Sequence, residues 1–459
     1  MSRLVTLLMS LLVFWCPFAL GGNRPLPWAI NAMLAGVMAL LSGLTLLSEP
    51  VSQHRSGRWR LILLPLLLWG LALSWAALQL LPLGELTHPN WAIGASALGQ
   101  DVTGAVTVSL DATIASLMRM LTYVCVFVVA FTLARDPDRA GLLLRVFVIA
   151  ASVYALYGLL RFASAADKII WFDQLAPKVL SSVFINRNSA ATYFGMASCV
   201  SFVLLLRRTR HVINEAEQEG SVARGASSLM SSVAGRLGLE FAGFVLLLTA
   251  TVLTQSRAGV AATCFAIASG LLFQAIRSRR HGRGGAATAL VIMIGVAGLL
   301  VVLQISGTRV VERLIGTDIV DEQRLAVFGD TIAAISDHAL TGSGLGTFED
   351  VFPLYRGEAA ANDVIWDKAH NDYLEILLGL GIPGGLAIIA GVLILVIRSV
   401  SGSFQRRRNS HLPMAGALAG TLAGLHALVD FSLQIQAVAL SLAMILGVSV
   451  AQSSSDRSR

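Results

Sequence analysis

Long apolar runs separated by short polar or basic stretches dominate the chain. Runs of about 17 to 25 such residues are long enough as helices to cross a ~30 Å hydrocarbon core, and about twelve are present. They fall near 4–22, 27–47, 61–82, 112–134, 140–160, 189–206, 239–254, 258–276, 286–305, 376–397, 413–433 and 435–452. The pattern predicts an all-α membrane protein, a polytopic bundle of about twelve transmembrane helices with one large periplasmic loop domain. The organisation read from it is N-terminal spans and exported loops over 1–180, central spans over 181–305, the loop domain over 306–375 and C-terminal spans over 376–459.

Finer features come from breaks in the pattern. From Glu240 to Arg277 only Thr254-Gln255-Ser256-Arg257 interrupts the apolar run. A single helix of that length would reach nearly twice the core thickness, so a tight hairpin at Arg257 is predicted. Within the loop domain, Leu325, Phe328, Ile332 and Ile335 recur at helical spacing, which predicts an amphipathic helix over about 322–338 lying on the membrane. The alternation of Val106, Val108 and Leu110 in the Lys- and Arg-free segment 83–111 allows a short strand. The first span begins like a secretory signal but lacks a small-residue cleavage site and is read as retained. Segment 207–238 reads as a mobile linker, and no repeat is visible.

Composition narrows the class. With 55% apolar and 13% charged residues over 459 positions, a water-soluble globule of ordinary composition is excluded. All four cysteines (Cys16, Cys125, Cys199, Cys264) fall within spans, which favours buried thiols over a disulfide frame. The net charge of +7 raises the question of nucleic acid. However, the basic clusters at Arg55/Arg58/Arg60, Arg207/Arg208/Arg210, Arg277/Arg279/Arg280/Arg283 and Arg406/Arg407/Arg408 fall in alternate loops. That is a topology signal with the N-terminus inside, and no nucleic-acid partner is expected.

Candidate chemistry gathers on the opposite, exported face. Gly342, Gly344 and Gly346 alternate in a loop that permits backbone N–H groups to face an anion. No strand precedes it, so a dinucleotide fingerprint is rejected. Lys368-Ala-His-Asn-Asp372 and Glu375 then stand directly before a span. Arg187, Arg257, Arg324 and His370, far apart in sequence, all reach this face. Guanidinium groups grip diphosphate as bidentate forks, and a histidine near neutrality takes a hydroxyl proton. Arg187 reads as a phosphate contact or an interfacial anchor. Arg119, inside a span, reads as functional or as snorkelling outward, whereas Arg145 lies near the cytoplasmic end of its span, where snorkelling accounts for it. His426 and Asp430 are four apart, on one face of a predicted helix, and read as structural or functional. His88 stands in a loop without evident partners, and His338 ends the amphipathic helix. With no H-E-x-x-H and the D-x-D pair Asp136/Asp138 in a cytoplasmic loop, neither a metal nor a cofactor is indicated.

At these residues the sequence resembles the O-antigen ligase and polymerase family of bacterial inner-membrane glycosyltransferases. The segments are SSVFINRNSA (Ser181 to Ala190), TQSRAG (Thr254 to Gly259), Arg324 to Phe348, HNDYLEILLGLGIPGG (His370 to Gly385) and HALVDFSLQIQ (His426 to Gln436). The resemblance implies metal-independent transfer of a glycan from undecaprenyl diphosphate to an acceptor sugar hydroxyl, in lipopolysaccharide or other surface polysaccharide biosynthesis. It implies a diphosphate held by Arg257 and Arg324 and an acceptor activated by His370. Arg187, Arg119, Asn371, Glu375, His426 and Asp430 are the remaining candidate substrate contacts. The expected partners are the lipid-linked donor, a glycan or lipid A-core acceptor and the bilayer, with the site facing the periplasm. Polysaccharide polymerase and protein O-glycosyltransferase are alternatives within the family, and a small-solute or inorganic carbon transporter is one outside it.

Overall fold

The computed structural model describes residues 1–48, 57–164, 168–170, 172–173, 179–218, 226–280, 320–360, 365–406 and 408–454. The predicted span 286–305 lies outside them. Every other predicted span coincides with a helix: α1 (Ser2–Phe18), α2 (Pro25–Ser48), α3 (Arg60–Leu78), α5 (Leu110–Leu133), α6 (Pro137–Ala163), α7 (Arg187–Gln218), α8 (Ala226–Leu253), α9 (Arg257–Arg280), α11 (Asp372–Gln405), α12 (His411–His426) and α13 (Gln436–Ala451). Two more helices, α4 (Asn90–Leu98) and α10 (Val320–Asp337), and a single helical turn at Phe348–Val351 lie in connecting segments. Seven of the helices are long and apolar enough to cross a membrane. The protein is an all-α membrane protein.

Local chemistry sets the helix starts. Asp136 caps α6 by accepting from Asp138 N–H at 2.8 Å, with Pro137 in the first helical position, where its missing donor costs nothing. In TQSRAG, Gln255 takes a left-handed φ of 53° and Ser256 Oγ accepts from Gly259 N–H at 3.3 Å. The turn ends α8 and starts α9 at Arg257, which is the predicted hairpin.

The core is built around α12, which packs against α7, α9, α11 and α13. Its sequence HLPMAGALAGTLAGLH carries Gly416, Gly420 and Gly424 one turn apart. Side chains of neighbouring helices fill the space a Cβ would take there: Ser449 and Ser399 at Gly416, Val396 and Leu446 at Gly420. Small residues at such spacing let membrane helices approach closely. A helix this poor in large side chains is stable here because its neighbours cover it: most of α12 and all of α13 but Ala443 are buried.

Two expectations are corrected. Segment 101–109 forms no strand. Its Val106, Thr107 and Val108 N–H groups donate to Leu81 O, Gln79 O and Ser343 O, so the chain is pinned between a helix end and a loop instead of entering a ladder. Two-residue strands β1 (Lys168–Ile169) and β2 (Phe172–Asp173) make the one strand pairing among the described residues. The glycine loop does not offer a row of vacant donors either. Gly342 N–H donates to His338 O and Gly344 N–H to Gly379 O. The acceptor is free because α11 opens at Gly381 (φ 72°, ψ 168°), two residues before Pro383, where a helix cannot run unbroken. Gln79, fully buried, completes the tie by donating to Thr341 O and Gly379 O, both at 2.8 Å. Helix α10 covers the predicted amphipathic segment; it buries Val327, Thr331, Ala334 and Ile335 and leaves Leu325 and Ile332 exposed. The smaller residues of that stripe let α10 close on Phe348, Phe352 and Trp366 in a core of its own.

His88 is not partnerless. It stacks on His338 with ring centroids 4.9 Å apart, and its Nδ1 accepts from Asn90 N–H at 3.3 Å. Burial, with His338 adding to it, lowers the His88 pKa from 6.5 to about 4. An unfolded chain binds the proton near 6.5 while the folded one resists it, so this contribution is full above that range and is lost as pH falls towards 4. Thermal unfolding of purified protein is expected to show a midpoint falling over that interval, and His88→Gln to flatten the slope. An equal slope in both proteins would contradict the assignment.

Candidate functional site

The connector between α12 and α13, residues 427–435, is the centre on which the predicted site residues converge. The helix predicted to carry both His426 and Asp430 ends at His426, so Asp430 lies in the connector and not on the helical face. Both are nonetheless buried and held by α7. Asn188 Nδ2 donates to Asp430 Oδ1 at 2.8 Å, and Thr192 Oγ1 lies 2.6 Å from His426 Nδ1. The hydroxyl of Ser432 donates to Asp430 Oδ2. Asn188 and Thr192 were missed from sequence. Their signal was the polar run Arg187-Asn188-Ser189 followed one helical turn on by Thr192, at the start of an otherwise apolar span.

His370 faces this carboxylate, its Nδ1 3.8 Å from Asp430 Oδ1. That is ion-pair range, longer than a hydrogen bond. The imidazole stands edge-on to Phe431 at 4.9 Å and to Trp366 at 5.7 Å, and its backbone holds a left-handed φ of 55°. Non-glycine residues held there are strained, and such strain persists where surroundings impose it. Here they do: Ala369 N–H donates to Glu375 Oε1 at 2.7 Å on one side. On the other, Asn371 Oδ1 caps α11 through Tyr373 N–H and Leu374 N–H, while its Nδ2 donates to Leu428 O at 2.8 Å. Asn371 and Glu375 thus position His370 through backbone bonds, and Asp372 does likewise by accepting from Leu433 N–H at 3.1 Å.

Asp430 is wholly buried. Burial disfavours its charge, but His370, His426, Ser432 and Asn188 outweigh that and hold its carboxyl below the usual value.

The arginines enter from three sides. Arg187 opens α7 one residue before Asn188. Arg257 opens α9 two residues before Gly259, where a Cβ would stand 3.4 Å from His426 Cε1. Arg324 of α10 points Nη1 at Val429 O, 3.4 Å away, and its Nε is buried without a hydrogen bond among the described residues. Arg119 is set apart. Its guanidinium lies 4.5 Å over the Trp28 ring and donates to Ser116 Oγ at 2.9 Å.

Arg119 lies on a cavity of about 590 Å³ that runs between α3, α5, α11, α12 and α13. Its walls are apolar over Trp69, Phe127, Ile388, Val392 and Leu446, and its polar end carries Arg119, Asp372, Glu375 and Gln434. Leu428, Leu433 and Gln434 of the connector form part of the wall, so one face of the connector meets the cavity while Asp430 holds His370.

Residues 242–389 match the O-antigen ligase family (Wzy_C). That stretch is similar to O-antigen ligases. It takes in Arg257, Arg324, the glycine loop, His370 and the opened turn of α11, and leaves Arg187, His426 and Asp430 outside. The family resemblance carried by the motifs is thereby shown, and with it support for a glycosyl-transfer role in polysaccharide biosynthesis. No curated protein matches the chain.

Because Asp430 has a depressed pKa, its stabilisation is present above the ordinary value of 3.8 and is lost as pH falls through the lower folded value. Asp430→Asn is therefore expected to lower the unfolding midpoint at neutral pH, by an amount that shrinks only in strong acid. Midpoints measured across pH for both proteins check this, and a gap that closes already near pH 6 would refute it.

Proposed function

We propose that this O-antigen ligase-family protein transfers a glycan from undecaprenyl diphosphate to an acceptor hydroxyl at the periplasmic face of the inner membrane. The observation that carries the reading is the connector: part of it walls an apolar cavity, while its Asp430 faces His370 and its Val429 carbonyl meets Arg324. In this reading the prenyl chain enters the cavity, and Arg257 and Arg324 hold the diphosphate beside the connector that forms part of the cavity wall. The acceptor is a glycan or the lipid A-core.

The chemistry follows from the polarity of the groups. His370 directs Nδ1 to Asp430, which leaves Nε2 to take the proton of the acceptor hydroxyl, and the ionised carboxylate stabilises the resulting imidazolium. The acceptor oxygen bonds to the anomeric carbon as the bond from that carbon to the diphosphate breaks. The electron pair leaves with the prenyl diphosphate. Its charge is met by guanidinium groups, so the leaving group needs neutralisation more than protonation. The proton on His370 then passes to solvent. No step calls for a metal.

Arg257→Lys is expected to lose most of the transfer activity while keeping its charge, since an ammonium cannot reproduce a bidentate fork. His370→Ala should lower turnover by roughly 10² to 10⁴-fold with donor binding retained. Reconstituted enzyme with a synthetic lipid-diphosphate glycan and excess chelator measures both. Loss of turnover on chelation, or near wild-type transfer by either variant, would overturn the mechanism. The glycan profile of a deletion strain identifies the acceptor.

A further inference from the structure

A second cavity, of about 630 Å³, lies at the far end of the bundle. At 1.5 Å per residue, Arg207 stands ~30 Å along α7 from Arg187, Gln274 ~25 Å along α9 from Arg257, and His411 ~22 Å along α12 from His426. Three helices that bring residues to the candidate site at one end thus line this cavity at the other. Under the charge-based orientation this end faces the cytoplasm.

Its lining is strongly basic. Arg145 of α6 and Arg207, Arg208 and Arg210 of α7 surround it, and Glu240 of α8 is the one carboxylate among the lining residues. Glu240 lies 3.8 Å from Arg208 Nε. Arg145 and Arg207 converge over the same point: a Cβ at Gly141 would stand 3.9 Å from Arg145 Nη2 and 3.8 Å from Arg207 Nη1. Like charges brought together repel unless an anion sits between them. Arginines that only set topology would instead spread outward to the headgroups.

Two further observations point to an oxygen-rich ligand. His411 lines the cavity, and its Nε2 is buried with no hydrogen bond among the described residues; such groups are seldom left unsatisfied. The cavity also receives the N-terminus of α12, whose cap residue Ser410 makes no side-chain capping bond, so the first turn presents its positive dipole end. Depth indicates the source. The apolar run of α7 ends at Leu206, and Arg207 follows at once, which sets the guanidinium groups at the hydrocarbon boundary where lipid phosphates lie.

We propose that this cavity is a phosphate-binding site separate from the transfer site, filled by the phosphate of an anionic phospholipid headgroup. Full-length protein in phosphatidylcholine nanodiscs with trace spin-labelled phosphatidylglycerol tests this through the immobilised component of the spectrum. Arg145→Gln combined with Arg207→Gln should weaken the immobilised component about tenfold or more. Glu240→Gln, which removes the one negative charge, should strengthen it several-fold and serves if the double variant does not fold. Displacement by excess inorganic phosphate would assign the site to the free anion and keep its phosphate chemistry. Binding that ignores all three substitutions, or that is abolished by Arg257→Gln, would overturn the proposal.

Discussion

A single carboxylate, Asp430, sets the terms for the candidate site. It sits wholly buried in a bundle poor in polar groups, where an unpaired charge would cost several kcal/mol. Its neutralisation draws on α7 through Asn188, on the connector through Ser432, and on the loop before α11 through His370. Satisfying this group therefore fixes the relation of three distant segments. The same contacts place a histidine, strained at its own backbone, against the connector that walls an apolar cavity.

Close approach of backbone makes that arrangement possible. The glycine face of α12 brings α11 and α13 near enough for the connector between α12 and α13 to lie against the start of α11. The opening of α11 at Gly381 exposes carbonyls that the glycine loop and Gln79 then take up. Broken helices inside a membrane protein are tolerated where other groups satisfy the freed backbone, and here loop and helix do so for each other. The loop domain is thus tied into the bundle by backbone bonds, which gives α10 a fixed seat from which Arg324 reaches the connector.

Sequence reading located the helices well because apolar length is a strong signal, and it placed the Arg257 hairpin because two spans cannot share one helix. It failed where tertiary partners decide. Nothing local distinguishes a glycine loop with vacant donors from one whose donors are taken by an opened helix, as at Gly342 and Gly344. The helix α10 was legible from its apolar spacing, whereas the side it turns to its own core, with Val327, Thr331 and Ala334, was decided by packing. Of the site, Arg187, Arg257, Arg324 and His370 were legible as charges on one face. Asp430 was legible as a partner of His426. Its link to His370, and the anchoring by Asn188 and Thr192, depends on contacts hundreds of positions apart.

The backbone itself adds a further electrostatic contribution. Arg187 and Arg257 are the first residues of α7 and α9, and Asn371 caps α11 just after His370. Three helices therefore direct the positive ends of their dipoles towards the same connector, each equivalent to roughly half a charge. Helix N-termini and guanidinium groups favour the same ligand, an anion, and neither loses its charge across any working pH. A neutral solute would gain nothing from this convergence. Asp430 has partners of its own in Asn188, Ser432 and His370, so its charge is met within the connector's immediate surroundings.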